Sequence, residues 1–223
     1  MRLVKRILQT IKDAVFPRFC IQCNKEGSLL CDECFVFWQS GKLQIVDDDR
    51  HLYSWQYADS IARELICSWK YHYDQSAWKI MQAKLQPSLS ALQHFVHIHS
   101  IEAIVPVPLH SIRMCERGFD QAVMIAEFLG RELDLPVANL IKRNRSTGHQ
   151  TERETQDRIE SMKKSPFTFI SPPSQGGAGG GCPLTSILLI DDVWTTGATI
   201  NAAADTINEL GTNLVWKYTL AKG

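Results

Sequence analysis

The sequence predicts an α/β protein: a mostly parallel sheet flanked by helices, with a small N-terminal four-cysteine module. Three observations predict it. Short β-branched runs alternate with amphipathic helical stretches through the C-terminal two thirds. The run Ile187–Ile190 is apolar on consecutive residues, as a parallel strand covered on both faces would be. Four cysteines near the N-terminus fall into two close C-x2-C pairs.

The chain has 223 residues, 22% of them charged, and a formal net charge of zero. That length suits one substantial domain plus an appendage. Neutrality argues against a general nucleic-acid coat, while leaving room for a local basic patch. No stretch reaches the roughly 18 apolar residues of a membrane span, so no transmembrane segment is expected. Residues 1–45 are expected to form an N-terminal helix and the cysteine module, and residues 46–223 the α/β domain.

At the N-terminus, Leu3, Val4, Ile7, Leu8, Ile11, Ala14 and Val15 recur at helical spacing, and charged residues fill the gaps. Lys12 and Asp13 interrupt any secretory apolar core. The segment reads as an amphipathic helix packed on the protein, with docking on a membrane surface as the alternative.

The next stretch reads Cys20-x2-Cys23-x7-Cys31-x2-Cys34. Two C-x2-C turns can aim four thiolates at one ion, which suits structural Zn²⁺. An iron–sulfur centre or a redox dithiol is the alternative. With all four positions filled, no open coordination site remains for catalysis. Seven cysteines, three of them isolated, do not form a secreted disulfide framework, so a cytoplasmic location is expected.

Residues 35–57 read as a connector leading into a strand. Residues 58–92 read as one or two helices, with Ile61, Leu65, Ile66 and Trp69 on one face and Pro87 opening a turn or a new helix. Ile101–Leu109 is a strand whose two prolines stop sheet pairing. Residues 118–135 are helical, with Ala122, Ile125, Ala126 and Leu129 in phase. Residues 136–144 and 167–170 are read as further strands. Between them lies a polar segment that is either a solvated helix or a mobile loop. Residues 172–185, with most of the Gly and Pro of this region, read as a flexible insertion. Ser186–Asp192 is a strand, 199–211 a helix closing on Gly211, and 213–221 the last strand.

The chemistry concentrates in "SILLIDDVWTTGAT", Ser186–Thr199. In parallel sheets, ligands bind beyond the carboxyl ends of strands. Asp191 and Asp192 fall there. Thr195, Thr196, Gly197, Ala198 and Thr199 then turn the chain into a helix N-terminus, a natural phosphate site. Gly197 lets the backbone approach a ligand. Carboxylates accept hydrogen bonds from a diol. A phosphate cradle beside two acids therefore fits a ribose 5-phosphate. An ordinary strand-to-helix turn with capping Asp and Thr is the plain alternative.

This stretch resembles the 5-phosphoribosyl 1-diphosphate (PRPP) motif of type I phosphoribosyltransferases. "VPVPLHSIRMCERGFDQA" (Val105–Ala122), "TGHQTERETQDR", "KYHYD" (Lys70–Asp74) and the four-cysteine module resemble the ComF/GntX-like proteins within that fold. The resemblance implies a type I phosphoribosyltransferase-like fold with a zinc-ribbon-like appendage, in a family linked to DNA uptake and natural transformation. It implies that Asp191 and Asp192 hold the ribose hydroxyls and stabilise charge developing on the ring, while residues 195–199 hold the 5′-phosphate of PRPP. Mg²⁺ would bridge diphosphate and ribose. Arg113 and Arg117 would neutralise diphosphate near the 105–109 strand end. Lys142, Arg143 and Arg158 would belong to a closing hood. The implied activity is phosphoribosyl transfer to an acceptor that the sequence does not identify. The alternative is a non-catalytic module that senses PRPP or a nucleotide and engages single-stranded DNA or DNA-uptake proteins. Asp120 departs from the signature, which usually has Asn there.

Overall fold

The computed structural model describes residues 17–39, 41–46, 48, 50–109, 114–116, 118–143, 165–170, 184–209, 211–212 and 214–223. The amphipathic N-terminal stretch, Arg113, Arg117, Arg158, most of the polar segment and the Gly-rich insertion lie outside them.

The chain divides into two compact units, one drawn from Met1–Gly41 and Ala58–Pro87, the other from Lys42–Tyr57 and Ser88–Gly223. In the first, the cysteine module ends in a short helix, α1 (Asp32–Phe37), and two longer helices follow, α2 (Ser60–Tyr71) and α3 (Gln75–Leu85). The face foreseen for α2 is the buried one: Ile61, Leu65, Ile66 and Trp69 are all inside. Trp69 stacks on Trp78 of α3 at 4.7 Å between ring centroids. Asp59 caps α2 through Ala62 N–H, and Asp74 caps α3 through Ser76 N–H.

The second unit holds a five-stranded sheet: β1 (Gln44–Val46), β2 (His51–Gln56), β3 (Ala103–Pro106), β6 (Ser186–Trp194) and β7 (Leu214–Lys222). Their spatial order is β1-β2-β7-β6-β3. Every neighbouring pair is parallel except the edge hairpin β1–β2. Helix α4 (Leu89–Ile98) precedes β3, α5 (Gln121–Leu133) follows it, and α6 (Ala198–Asn208) joins β6 to β7. Val105, Val107, Ile187, Leu189 and Val215 build one core with Ile200, Ala203, Ala204 and Ile207 of α6. Helix α5 packs on β3 and β6. On α4, Phe95 meets Trp216 of β7 edge-on at 4.7 Å.

Two strands foreseen in the parallel sheet are elsewhere. Val137 makes a single bridge to Ile104, then the chain leaves the sheet edge. β4 (Ile141–Arg143) pairs antiparallel with β5 (Phe167–Phe169) in a separate two-stranded sheet. An antiparallel pair needs no crossover helix, and the intervening polar segment offers no apolar stripe from which to build one. Leu140, Ile141 and Phe167 still enter the α6 core. The main sheet draws β1 and β2 from residues 35–57, read as a connector leading into a strand: β2 is that strand, and β1 is an added edge strand.

Candidate functional site

The second unit carries the acid pair. β6 pairs with β3 only as far as Pro106↔Ile190. On its other flank it stays paired with β7 through Asp191↔Thr219, Val193↔Ala221 and Trp194↔Lys222. The acids therefore lie on a strand extension supported on one side and open on the other, where β3 has ended. Strand alternation directs their side chains toward opposite faces of this ribbon, so one ligand reaches both around the open edge that β3 leaves; both are half-buried. Asp191 Oδ1 accepts the Asp192 N–H at 2.8 Å. The strand runs two residues beyond its expected end at Asp192, to Trp194, and the bend falls at Thr195–Gly197, where it was expected. Thr195 and Thr196 are exposed there, Gly197 takes φ +73° and Ala198 opens α6. Thr196 Oγ1 accepts the Ala198 N–H at 3.3 Å. The loop thus sits at the amide end of an 11-residue helix, where the leading N–H groups lack intrahelical acceptors.

A ring stack supports the loop from inside. Trp194 is buried. A Cβ added to Gly197 would lie 2.4 Å from Trp194 Cζ2, so the glycine is needed for the indole beneath it as well as for its left-handed φ. His51 stacks on the Trp194 ring at 4.1 Å and its Nε2 is 2.8 Å from Thr219 Oγ1. Thr219 donates its hydroxyl hydrogen to Ala221 O at 3.1 Å, so it accepts from His51 Nε2–H. His51 Nδ1 is then bare, and it is buried without a hydrogen-bond partner. Burial, with Lys222 and Lys217 nearby, brings the His51 pKa down to about 3. Lys217 Nζ lies 5.2 Å from the Trp194 ring centroid and donates to Asn201 Oδ1 of α6 at 2.9 Å.

The opposite wall is the end of β3. Val107 N–H donates to Ile190 O at 2.8 Å. Leu109 N–H donates to Asp120 Oδ2 at 2.9 Å. The other oxygen of Asp120 caps α5, accepting from Ala122 N–H at 2.9 Å and Val123 N–H at 3.3 Å. Burial pushes the Asp120 carboxyl above the usual range against these hydrogen bonds, and the charge of Asp192 adds to the rise. Asp120 thus belongs to the acid crevice, where sequence reasoning had not placed it. Its position as an Asp just ahead of a helical apolar period was the available signal.

Of the basic residues, the structure places Lys142 and Arg143 on β4, with the Arg143 guanidinium 5.5 Å from the Phe167 ring centroid. Arg113, Arg117 and Arg158 lie outside the described residues.

In the first unit, the four cysteine sulfurs lie within 4.8 Å of one another. Phe19 bridges Glu26 in antiparallel fashion, with Asn24 at positive φ in the turn between them and Gly27 at positive φ just beyond it. Cys31 N–H points at Cys20 Sγ at 3.4 Å. Burial opposes ionisation of Cys20, but the N–H groups of Cys31, Cys23 and Gln22 outweigh it and bring the thiol down to about 6. Burial and the three neighbouring sulfurs push Cys34 up. Four sulfurs that repel one another's charge form a donor set for a thiophilic cation. Tetrahedral Zn–S bonds of about 2.3 Å would put the sulfurs about 3.8 Å apart, compatible with this cluster. The cluster can hold a structural metal.

No protein-family model matches the chain. Among curated proteins, it is 33% identical over 122 residues to Competence protein F of Haemophilus influenzae, covering 54% of this chain and 50% of that one. The match thus spans about half the length of the Haemophilus protein. It is 28% identical over 199 residues to Competence protein ComFC of Bacillus subtilis, covering 86% of this chain and 72% of that one. Among solved structures, the adenine phosphoribosyltransferase of Leishmania tarentolae gives a TM-score of 0.38 at 14% identity, over 81% of this chain and 94% of that one. The resemblance carried by the sequence motifs is thus met by similarity to ComF-type competence proteins. Among the described residues, no helix is long and apolar enough to cross a membrane.

Proposed function

We propose that the crevice beyond β3 and β6 binds PRPP with Mg²⁺, and that the chain is a phosphoribosyltransferase-family protein serving DNA uptake in the cytoplasm. The observation that carries this reading is the one-flanked extension of β6. It holds Asp191 and Asp192 beside an open edge and delivers the chain straight to the amide end of α6. The 5′-phosphate meets the Thr195–Thr199 turn, and the ribose hydroxyls donate to Asp191 and Asp192. Asp191 and Asp192 carry hard oxygen donors that suit Mg²⁺, which would supply charge neutralisation for the departing diphosphate. In transfer, the bond from the anomeric carbon to the diphosphate oxygen breaks and one to the acceptor nucleophile forms. The acids stabilise the positive charge on the ring meanwhile. Such chemistry needs no protein nucleophile, and His51, buried and neutral behind Trp194, acts as support. Arg113, Arg117, Lys142, Arg143 and Arg158 are the proposed sources of positive charge on the diphosphate side. The cysteine cluster is proposed to hold structural Zn²⁺.

Calorimetry tests the donor. Mg²⁺-dependent PRPP binding is expected, with Asp191→Asn and Asp192→Asn each weakening it at least about a hundredfold, as for loss of charged hydrogen bonds from a desolvated site. Unchanged affinity in both variants would remove the reading. Diphosphate release from PRPP across purines, pyrimidines and ammonia then separates transfer from sensing.

A further inference from the structure

We propose that Asp120 sets how tightly the crevice holds the diphosphate end of its ligand, by occupying with a carboxylate oxygen the backbone donor that residues 106–109 leave available beyond β3. The proposal rests on the PRPP reading above and adds to it a determinant of affinity.

The donor count at the end of β3 is short. Pro106 and Pro108 have no N–H. Val107 N–H is spent on Ile190 O. Across residues 106–109 that leaves Leu109, and its N–H is held by Asp120 Oδ2 at 2.9 Å. A diphosphate reaching this wall must displace that oxygen or bind without the donor. In either case it faces a negative charge, and Asp120 also feels the field of Asp192.

Starting α5 does not require the second oxygen. Oδ1 alone receives Ala122 and Val123 N–H, and Asn or Ser caps a helix about as well as Asp. A carboxamide at position 120 could keep Oδ1 on the helix. Its NH₂ would then face Leu109 N–H, donor against donor, which leaves that N–H available to an anion. The carboxylate therefore lowers anion affinity at this wall by two routes, an occupied donor and a like charge.

The test is calorimetry on the full chain with three probes: PRPP with Mg²⁺, inorganic diphosphate with Mg²⁺, and ribose 5-phosphate. Asp120→Asn and Asp120→Ser are each expected to bind PRPP and diphosphate about tenfold more tightly, the worth of one charged hydrogen bond. Ribose 5-phosphate affinity should not change. Glu127→Gln, which removes an exposed acid from the same helix, should change none of the three. A residue that only ties β3 to α5 would yield variants with a lower Tm and no gain in affinity. That result in both variants, or an equal gain for ribose 5-phosphate, overturns the proposal and leaves the PRPP reading standing. If the parent chain binds neither PRPP nor ribose 5-phosphate, the PRPP reading falls and this proposal falls with it.

Discussion

Gly197 and Trp194 show how a ligand loop can be shaped from below. A Cβ on Gly197 would collide with the indole at 2.4 Å, and the residue sits at φ +73°. Gly197→Ala combines both penalties. A cost of about 1–3 kcal/mol is expected, as for other strained positions, read as a lower denaturation midpoint together with loss of PRPP binding. Sequence alone assigned this glycine to close ligand approach. The indole under it was hidden because nothing in the motif says which way the Trp194 ring turns. His51, which stacks on it, comes from a distant strand. His51 also carries a pH signature. Its pKa falls from 6.5 to about 3 in the folded chain, so the unfolded chain takes up a proton that the folded one refuses. This contribution is complete above pH 6.5 and is lost as pH falls toward 3. Urea midpoints should therefore drop as pH falls from 6.5 to about 5. In His51→Phe, which keeps a ring on Trp194 and cannot titrate, the drop should be shallower. Parallel profiles would contradict this assignment.

Among the elements, β6 and α6 were legible because each announces itself locally: consecutive apolar residues, then hydroxyls and glycine, then a helical period. The length of β6 was not. It runs to Trp194 because β7 extends equally far beside it, a pairing that no local pattern encodes. The β4–β5 hairpin was misplaced for the same reason. Short apolar runs identify strands without naming their partners. Caps are legible one at a time, and Asp59 shows what a sequence omits. It caps α2 through Ala62 N–H at 2.9 Å, and its second oxygen accepts Trp38 Nε1–H at 3.0 Å. Asp59→Ala should cost about 1–2 kcal/mol, toward the upper end for an N-cap. Asp59→Ser, which retains the cap alone, should recover only part of that in chemical denaturation.

At the scale of the molecule, the first unit joins the cysteine module to α2 and α3 through Trp38. Lys84 of α3 donates to Trp38 O at 2.6 Å and lies 4.3 Å from the Phe35 ring centroid, both close to the Cys34 turn. These contacts link distant stretches, so spacing alone could not reveal them, whereas the paired cysteines were plain in the sequence. If the cluster holds Zn²⁺, a chelator or Cys34→Ser should loosen α1 and shift Trp fluorescence to the red. PRPP affinity, which belongs to the other unit, should serve as the comparison signal. Metal analysis of reduced protein should find one zinc per chain. The central claim remains the crevice in the second unit. A crystal structure of the chain with PRPP and Mg²⁺ tests it most directly. The account predicts the 5′-phosphate within hydrogen-bond distance of the Thr195–Thr199 amides and the ribose hydroxyls on Asp191 and Asp192. An intact fold with that crevice empty, or PRPP bound elsewhere, would contradict it.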